Sequence, residues 1–371
     1  MNLEIVYRIA LIQLPGIGDL YAKLLTEYFK SAQYLFNASR KELSEIPGVG
    51  NVLLSTLCSD LLKNKAIERA KHEIEFAEKH GISIWSYDDK NYPAKLKECN
   101  DGPFILYYKG SPVLNTAKIV SIVGTRRATA YGQDLTRKIV QEFQNQQILV
   151  VSGLAYGIDS FAHKFSLEYG IPTVGVLAHG LDKIYPQKNR EIAKNMLKNG
   201  GLLSEFMIGT NPDRENFPKR NRIVAGISDA TLLIEAANKG GALITANIAN
   251  SYGRDVFAAP GRTIDTYSKG CNALIKSNRA ALIESGKDVL SAMNWIESTQ
   301  REKTTQTDLF HQFTDEEKRI IEIIQIKGVS SKEQIAIRLN TSVQKVSCLL
   351  FNLELNGAIK AIPGNSYQIK V

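Results

Sequence analysis

The sequence predicts an α/β protein in which a parallel sheet with covering helices is flanked by a helical module at the N-terminus and a winged helix at the C-terminus. Three observations carry the prediction. From about Gly81 to Glu297, short β-branched runs alternate with helical patterns, as βαβ units require. Upstream, two similar phrases, LPGIGDLYAKLL from Leu14 and IPGVGNVLLSTL from Ile46, set a proline and two glycines between stretches with apolar residues at helical spacing. Downstream, polar REKTTQTDLF precedes three helical patterns and two short extended pieces. The expected domains are 1–80, a pair of helix-hairpin-helix units; 81–297, the sheet domain; 298–312, a linker; and 313–371, the winged helix.

Taken in order, Pro15–Gly18 and Pro47–Gly50 form tight hairpins, because proline presets φ and glycine accepts positive φ. The stretch from Ile82 to Tyr108 is expected to be an irregular or edge-strand extension. Strands are expected at Lys118–Val123, Ile148–Ser152, Thr173–Leu177, Leu202–Glu205, Thr231–Glu235, Val256–Ala259 and Ala281–Ile283, with helices following Tyr131, Ile158, Asn189, Ala242 and Asn272. C-terminal helices are expected over Asp315–Lys327, Ser331–Leu339 and Ser342–Asn356, closing on extended pieces at Ala358–Pro363 and Tyr367–Val371.

Composition narrows the function classes. With 371 residues, 44% hydrophobic and 23% charged, the chain can bury a sizeable core, which excludes global disorder. Cys58, Cys99, Cys271 and Cys348 lie far apart with no C-x-x-C pair, so neither a zinc site nor a disulfide framework is expected. No stretch approaches 18 apolar residues and no signal-peptide core is evident, so the reading is a soluble protein of the cytoplasm with no membrane partner. The net charge of +8 points to a polyanion. Its distribution is uneven: residues 1–80 hold 10 basic and 10 acidic residues, 81–300 hold 26 and 20, and 301–371 hold 10 and 8. The sheet domain therefore supplies most of the excess, and Lys183–Arg222 alone carries nine basic against four acidic residues. The neutral hairpins read as structural or partner-contacting, although their amides could touch phosphates.

Several turns at strand ends suit an anion. GTRRATAYG, Gly124 to Gly132, runs from an apolar strand into a helix, so backbone amides at Gly124 and Thr125 and the side chains of Arg126 and Arg127 could meet a phosphate; a structural βα turn with solvated arginines is the alternative. SGLAYGID offers a second such turn at Ser152 and Gly153, or glycines that only allow close packing. Asp159 and His163, four residues apart, are either an acid–base pair or local helix-start partners. A third turn is Lys239-Gly240-Gly241, and AAPGR and SKGCNALI add two more. NFPKRNRIVAG, Asn216 to Gly226, gathers Lys219, Arg220, Asn221 and Arg222 beside Phe217, with Pro218 expected to keep the segment from starting as regular helix. Cations for phosphates beside a ring for an unstacked base suit single-stranded nucleic acid, whereas a duplex hides its bases. The P-loop, H-E-x-x-H and G-x-S-x-G templates are all absent, and no metal or cofactor site is expected.

GTRRATAYG, SGLAYGID, IYPQKN, SEF with NFPKRNRIVAG, and IEAANKGGALITANIANSYGRDVFAAPG with SKGCNALI occur in an order that closely resembles the DNA-processing protein A (Smf) family, from about Tyr92 to Glu284. The hairpin repeat, which would form a SAM-like domain, and the winged helix match the usual flanking modules. The resemblance implies an extended Rossmann-like fold that binds single-stranded DNA without sequence preference, forms a homodimer, and loads RecA recombinase during natural transformation. By motif position, Arg126 would be a backbone-binding arginine, Lys188 would lie in the basic turn after YP, and Phe217 to Arg222 would form the pocket segment. The chain also resembles LOG phosphoribohydrolases, but where their PGGxGTxxE phrase would align it reads KGGALITA, without the glutamate, so no catalytic residue is expected. The competing readings are a nucleotide N-glycosidic hydrolase on the same fold and a duplex-binding regulator acting through the winged helix. Its recognition helix offers Lys345 as the only cation, beside Leu349, Leu350 and Phe351.

Overall fold

The computed structural model describes residues 3–111, 114–296, 313–355, 358–362 and 366–369. The linker expected at 298–312 lies outside the described residues. Residues 1–296 form one compact unit and 297–371 a second.

The first unit opens with α1 (Leu3–Leu11), α2 (Asp19–Phe29), α3 (Ala32–Asn37), α4 (Arg40–Ser44), α5 (Asn51–Leu57) and the long α6 (Asp60–His80). The two Pro-Gly phrases fall between α1 and α2 and between α4 and α5, and Gly16 and Gly48 take φ of 82° and 86°, where other residues are strained. Ser59 caps α6 at its start and Gly81 ends it in the left-handed conformation. The buried side chains of these helices share a core with Ile82, Phe104, Ile105 and Tyr107.

Two antiparallel strands follow, β1 (Ser83–Ser86) and, after the one-turn helix α7 (Ala94–Lys97), β2 (Ile105–Gly110), so the stretch expected to be irregular or an edge-strand extension is a regular ribbon with β1 at the sheet edge. Next come β3 (Lys118–Val123), α8 (Ala130–Glu142), β4 (Ile148–Ser152), α9 (Ile158–Glu168), β5 (Thr173–Leu177), α10 (Arg190–Met196), β6 (Gly200–Ser204) and α11 (Asn216–Gly226). Then β7 (Ala230–Leu233), α12 (Gly241–Ser251), β8 (Asp255–Ala258), α13 (Lys269–Lys276), β9 (Ala281–Leu282) and α14 (Gly286–Ala292) complete the unit. The nine strands are ordered β1-β2-β6-β5-β4-β3-β7-β8-β9, parallel from β6 to β9.

Alternation along the strands sorts the two faces. Val120 and Ile122 of β3 point into the core covered by α8, α9 and α14, while Ile119 and Val123 point into the core covered by α11, α12 and α13. The chain grows from β3 toward β6 on one side, then crosses back to place β7 on the other side of β3. A crevice opens at such a reversal, outside the carboxyl ends of the strands, because the flanking helices diverge to opposite faces.

Contrary to the sequence expectation, Pro218 does not prevent regular helix: it is the third residue of α11. A first-turn amide has no partner within the helix, so its loss costs nothing there.

The second unit holds α15 (Asp315–Lys327), β10 (Ser330–Ser331), α16 (Lys332–Leu339), α17 (Val343–Leu355), β11 (Ile359–Ile362) and β12 (Ser366–Ile369), with antiparallel sheet order β10-β12-β11. It is a winged helix with its own core around Ile320, Ile324, Ile335, Val346, Leu350 and Leu353. Its Lys345 is paired with Glu316, so the recognition helix offers no free cation among its described side chains.

Candidate nucleic-acid interface

The reversal between β3 and β7 holds a cleft of about 290 Å³, walled by the Gly124–Arg126 turn, Phe217 and Asn221 of α11, and the Lys239–Gly241 turn that opens α12. A smaller cleft of about 60 Å³ adjoins it, bounded by Arg126, Tyr156, His179, Tyr185 and Phe217. An open groove that shares Arg126, Phe217, Asn221 and Lys239 with the first cleft is lined further by Arg214, Pro218 and Asn247. Arg126 and Phe217 line all three, so they stand at the centre of one continuous trough along the sheet edge.

The loop carrying Arg126 is held from below. Thr129 caps α8, and the buried Glu235 carboxylate accepts from the Thr129 amide at 2.9 Å and its hydroxyl at 2.5 Å. The Thr125 amide donates to the Glu235 carbonyl at 2.7 Å, and the Ile158 amide donates to the Thr125 carbonyl at 3.2 Å. Gly157 makes this approach possible: at φ 77°, a Cβ on it would lie 2.2 Å from the Thr125 carbonyl oxygen. Arg126 itself remains exposed, with its guanidinium 5.0 Å from the centre of the half-buried Phe217 ring. That stacking holds a cation and an aromatic ring together on the trough, with the Arg220 guanidinium 5.9 Å from the same ring.

The structure separates residues that look alike in the sequence. Arg220 is 4% exposed and donates to the carbonyls of Gly153 and Val176, the latter at 2.6 Å, behind the Phe217 ring. Burial pushes its guanidinium down to about 10, against the opposing pull of Asp159, so it is still charged at neutral pH. Asn221 accepts from Arg220 at 3.1 Å and reaches the Gly241 carbonyl at 3.4 Å, tying α11 to the turn of α12. Arg222 is turned away from the trough, ion-paired with Glu205 and with Asp19 at 3.2 Å. Burial pushes the Glu205 carboxyl up to about 7 despite that pairing. Both arginines therefore depart from the expectation that they grip phosphates: each spends its donors on the protein.

Three residues of the expected phosphate turns also change role. Ser152 is fully buried and donates to the Ile122 carbonyl at 2.6 Å, while the Gly153 amide donates to Asp159 at 3.1 Å. The Thr125 amide is occupied by Glu235, as above, and only Gly124 of that turn keeps its place on the cleft wall without such a bond. Gly240 and Gly241, by contrast, are exposed at the start of an eleven-residue helix, whose first amides have no partner within it. Lys188 and Lys219 are exposed but line none of the three clefts; they flank Pro186 and Pro218, which do.

Residues outside the sequence-derived site set join the trough: Arg214, Lys239, Tyr156 and Tyr185. Lys239 carried a sequence signal in its Gly-Gly turn; the others acquire their place only through the fold. Asp159 and His163 do not form an acid–base pair. Asp159 serves the Gly153 amide, and His163 meets the Thr173 hydroxyl at 2.7 Å and is held down to about 3 by burial. Among the described residues no cluster of His, Cys, Asp and Glu could hold a metal, and no helix is long and apolar enough to cross a membrane.

An open, mostly parallel sheet with a cationic, aromatic trough at its topological reversal defines a Rossmann-like protein. Residues 83–294 match the model of the DNA recombination-mediator protein A family, and residues 9–61 match that of the SAM-like helix-hairpin-helix tandem. The chain belongs to the DNA recombination-mediator protein A family. It is 32% identical to Protein Smf of Synechocystis over 99% of both chains, and 37% identical to DNA processing protein DprA of Bacillus subtilis over 65% of this chain and 84% of that one. The solved DprA of Streptococcus pneumoniae superposes with a TM-score of 0.65 at 32% identity, covering 77% of this chain and 97% of that one. A DprA structure from Helicobacter pylori, reported for its single-stranded DNA binding mode, gives a TM-score of 0.52 at 29% identity, covering 57% and 95%.

Proposed function

We propose that this protein is a non-enzymatic mediator that holds single-stranded DNA in the trough, protects incoming strands in the cytoplasm as a homodimer, and loads a RecA recombinase on them during DNA uptake. The observation that carries the reading is Arg126, exposed and common to three adjoining clefts, stacked 5.0 Å from the Phe217 ring. A single strand presents phosphates and unstacked bases together, which is the combination this pair accepts. Arg126, Lys239, Arg214 and the amides of Gly240 and Gly241 grip phosphates, with Lys188 and Lys219 steering from the flanks. The edge strand β9, which has one neighbour in the sheet, is available to a second copy. The Helicobacter relative described by its single-strand binding mode supports the ligand class.

The test is affinity for matched single- and double-stranded oligonucleotides at two salt concentrations, followed by RecA filament growth on a strand already coated with single-strand-binding protein. Preference for the single strand, a steep salt dependence and faster filament growth are expected. Equal affinity for duplex would remove the trough as a single-strand site, unaltered filament growth would remove the loading role, and release of ribose 5-phosphate from AMP would make the protein a hydrolase.

A further inference from the structure

The smaller cleft is chemically unlike the rest of the trough. Its rim carries Tyr156 and Tyr185, each 45% exposed, and the Tyr185 ring lies 6.4 Å from the Phe217 ring at a 60° tilt. Two large aromatic rings half open to water on one small cleft bury less apolar surface than the fold could have buried. On its buried side lies His179, 2% exposed, whose Nδ1 is 2.8 Å from the Gly180 carbonyl oxygen. That contact places the proton on Nδ1, since a carbonyl only accepts, and leaves Nε2 an acceptor. Nε2 is buried and meets no group among the described residues with hydrogen-bond geometry, while the main chain of Tyr185 lies close enough to the imidazole to act on it. A buried acceptor beside a cleft gives that cleft a polar point to which a donor can be directed. The cleft's 60 Å³ admits about four waters, close to what a single flat heterocycle displaces.

We propose that this cleft is a second base-binding subsite, in which one unstacked nucleobase lies against Tyr156 and Tyr185 and gives an N–H to His179 Nε2. The inference rests on the single-strand reading above and adds the path of the strand: one phosphate on Arg126, with consecutive bases on either side of it, at Phe217 and in the tyrosine cleft. Every DNA base carries an N–H donor on its pairing edge, so the subsite accepts all four. It is also closed to a duplex, whose bases are stacked and paired.

The experiment uses the full chain and a short thymine oligonucleotide with or without one abasic position, read by fluorescence anisotropy at several salt concentrations. Base–aromatic stacking is worth about 1–3 kcal/mol, so Tyr156→Ala should weaken binding about 5- to 150-fold. Its salt slope should be unchanged, because no phosphate contact is lost. Tyr156→Phe should restore the affinity, and the alanine variant should discriminate less than the parent between intact and abasic strands. Photocrosslinking of 5-iododeoxyuridine strands should map to Tyr156 or Tyr185. If Tyr156→Ala and Tyr185→Ala both bind like the parent while Arg126→Ala does not, the subsite is refuted and the trough stands. If the parent shows no single-strand affinity, the trough falls with it.

Discussion

Replacing Arg126 with alanine removes a side chain that three clefts share, without disturbing anything beneath it. The loop around it is held by main-chain bonds from Thr125 and by Glu235 on Thr129, none of which involves the Arg126 guanidinium. Stability should therefore fall by no more than about 1 kcal/mol, the worth of the exposed cation–π contact with Phe217. Binding should suffer twice. A charge-assisted phosphate contact is worth about 1.5–3 kcal/mol, and the cation that stacks on Phe217 adds about 0.5–1 kcal/mol by holding the ring in place. The expected loss is about 2–4 kcal/mol, or roughly 30- to 1000-fold in Kd. The slope of log affinity against log salt should fall by about 0.7, one single-strand phosphate's worth. Anisotropy titrations at four salt concentrations, with urea melts of the same preparations, measure both quantities. An unchanged slope with a folded variant would refute the placement of a phosphate at Arg126, and a large loss of stability would refute the claim that the loop is held from below.

Arg222→Ala should show the opposite pattern: stability falls by about 3–5 kcal/mol in urea melts because Glu205 is left buried without its partner, while the salt slope of the surviving folded fraction is unchanged. Gly157→Ala should cost about 1–3 kcal/mol, since it adds a Cβ at φ 77° against the Thr125 carbonyl, and it should loosen the Arg126 turn with it. Stability against pH tests two buried groups of opposite sign. Glu205, raised to about 7, contributes stability below about 4.5 that is lost as pH rises to 7; His163, lowered to about 3, makes the fold lose stability as pH falls from 6.5 toward 3. Between pH 4.5 and 6.5 their slopes, each about 1.4 kcal/mol per pH unit, oppose one another, so Glu205→Gln should expose the acid-side loss and His163→Asn its reverse; identical profiles in all three proteins would overturn both assignments. A chain ending at Ile296, where the first compact unit ends, should keep full single-strand affinity, and a tenfold loss would assign binding to the winged helix.

Much of the fold was legible because it follows from short-range patterns. The near-continuous apolar run KIVSIV marks a strand, and Val120 with Ile122 and Ile119 with Val123 divide between two cores, as such a run in a covered parallel sheet requires. The paired Pro-Gly phrases likewise marked their hairpins, since positive φ at Gly16 and Gly48 is a local requirement. Where local reading failed, the cause was position within an element or partners far along the chain. Proline opposes helix in general, yet at the third residue of α11 Pro218 removes an amide that had no partner. Ser152 and Gly153 look like a phosphate turn until β3 and α9 claim their donors.

The sequence by itself determined the alternation of strands and helices in the sheet domain, the excess of positive charge there, and the motif set that marks the family, because each depends on residue type and spacing along the chain. The tertiary structure alone decided which cations are free. Arg126, Arg220 and Arg222 are chemically the same group, but one is stacked in the open on Phe217, one is spent on two buried carbonyls, and one is neutralised by Glu205 and Asp19. Whether a charge meets solvent or a carboxylate is set by contacts between residues as distant as 19 and 222, and no local pattern encodes that distance.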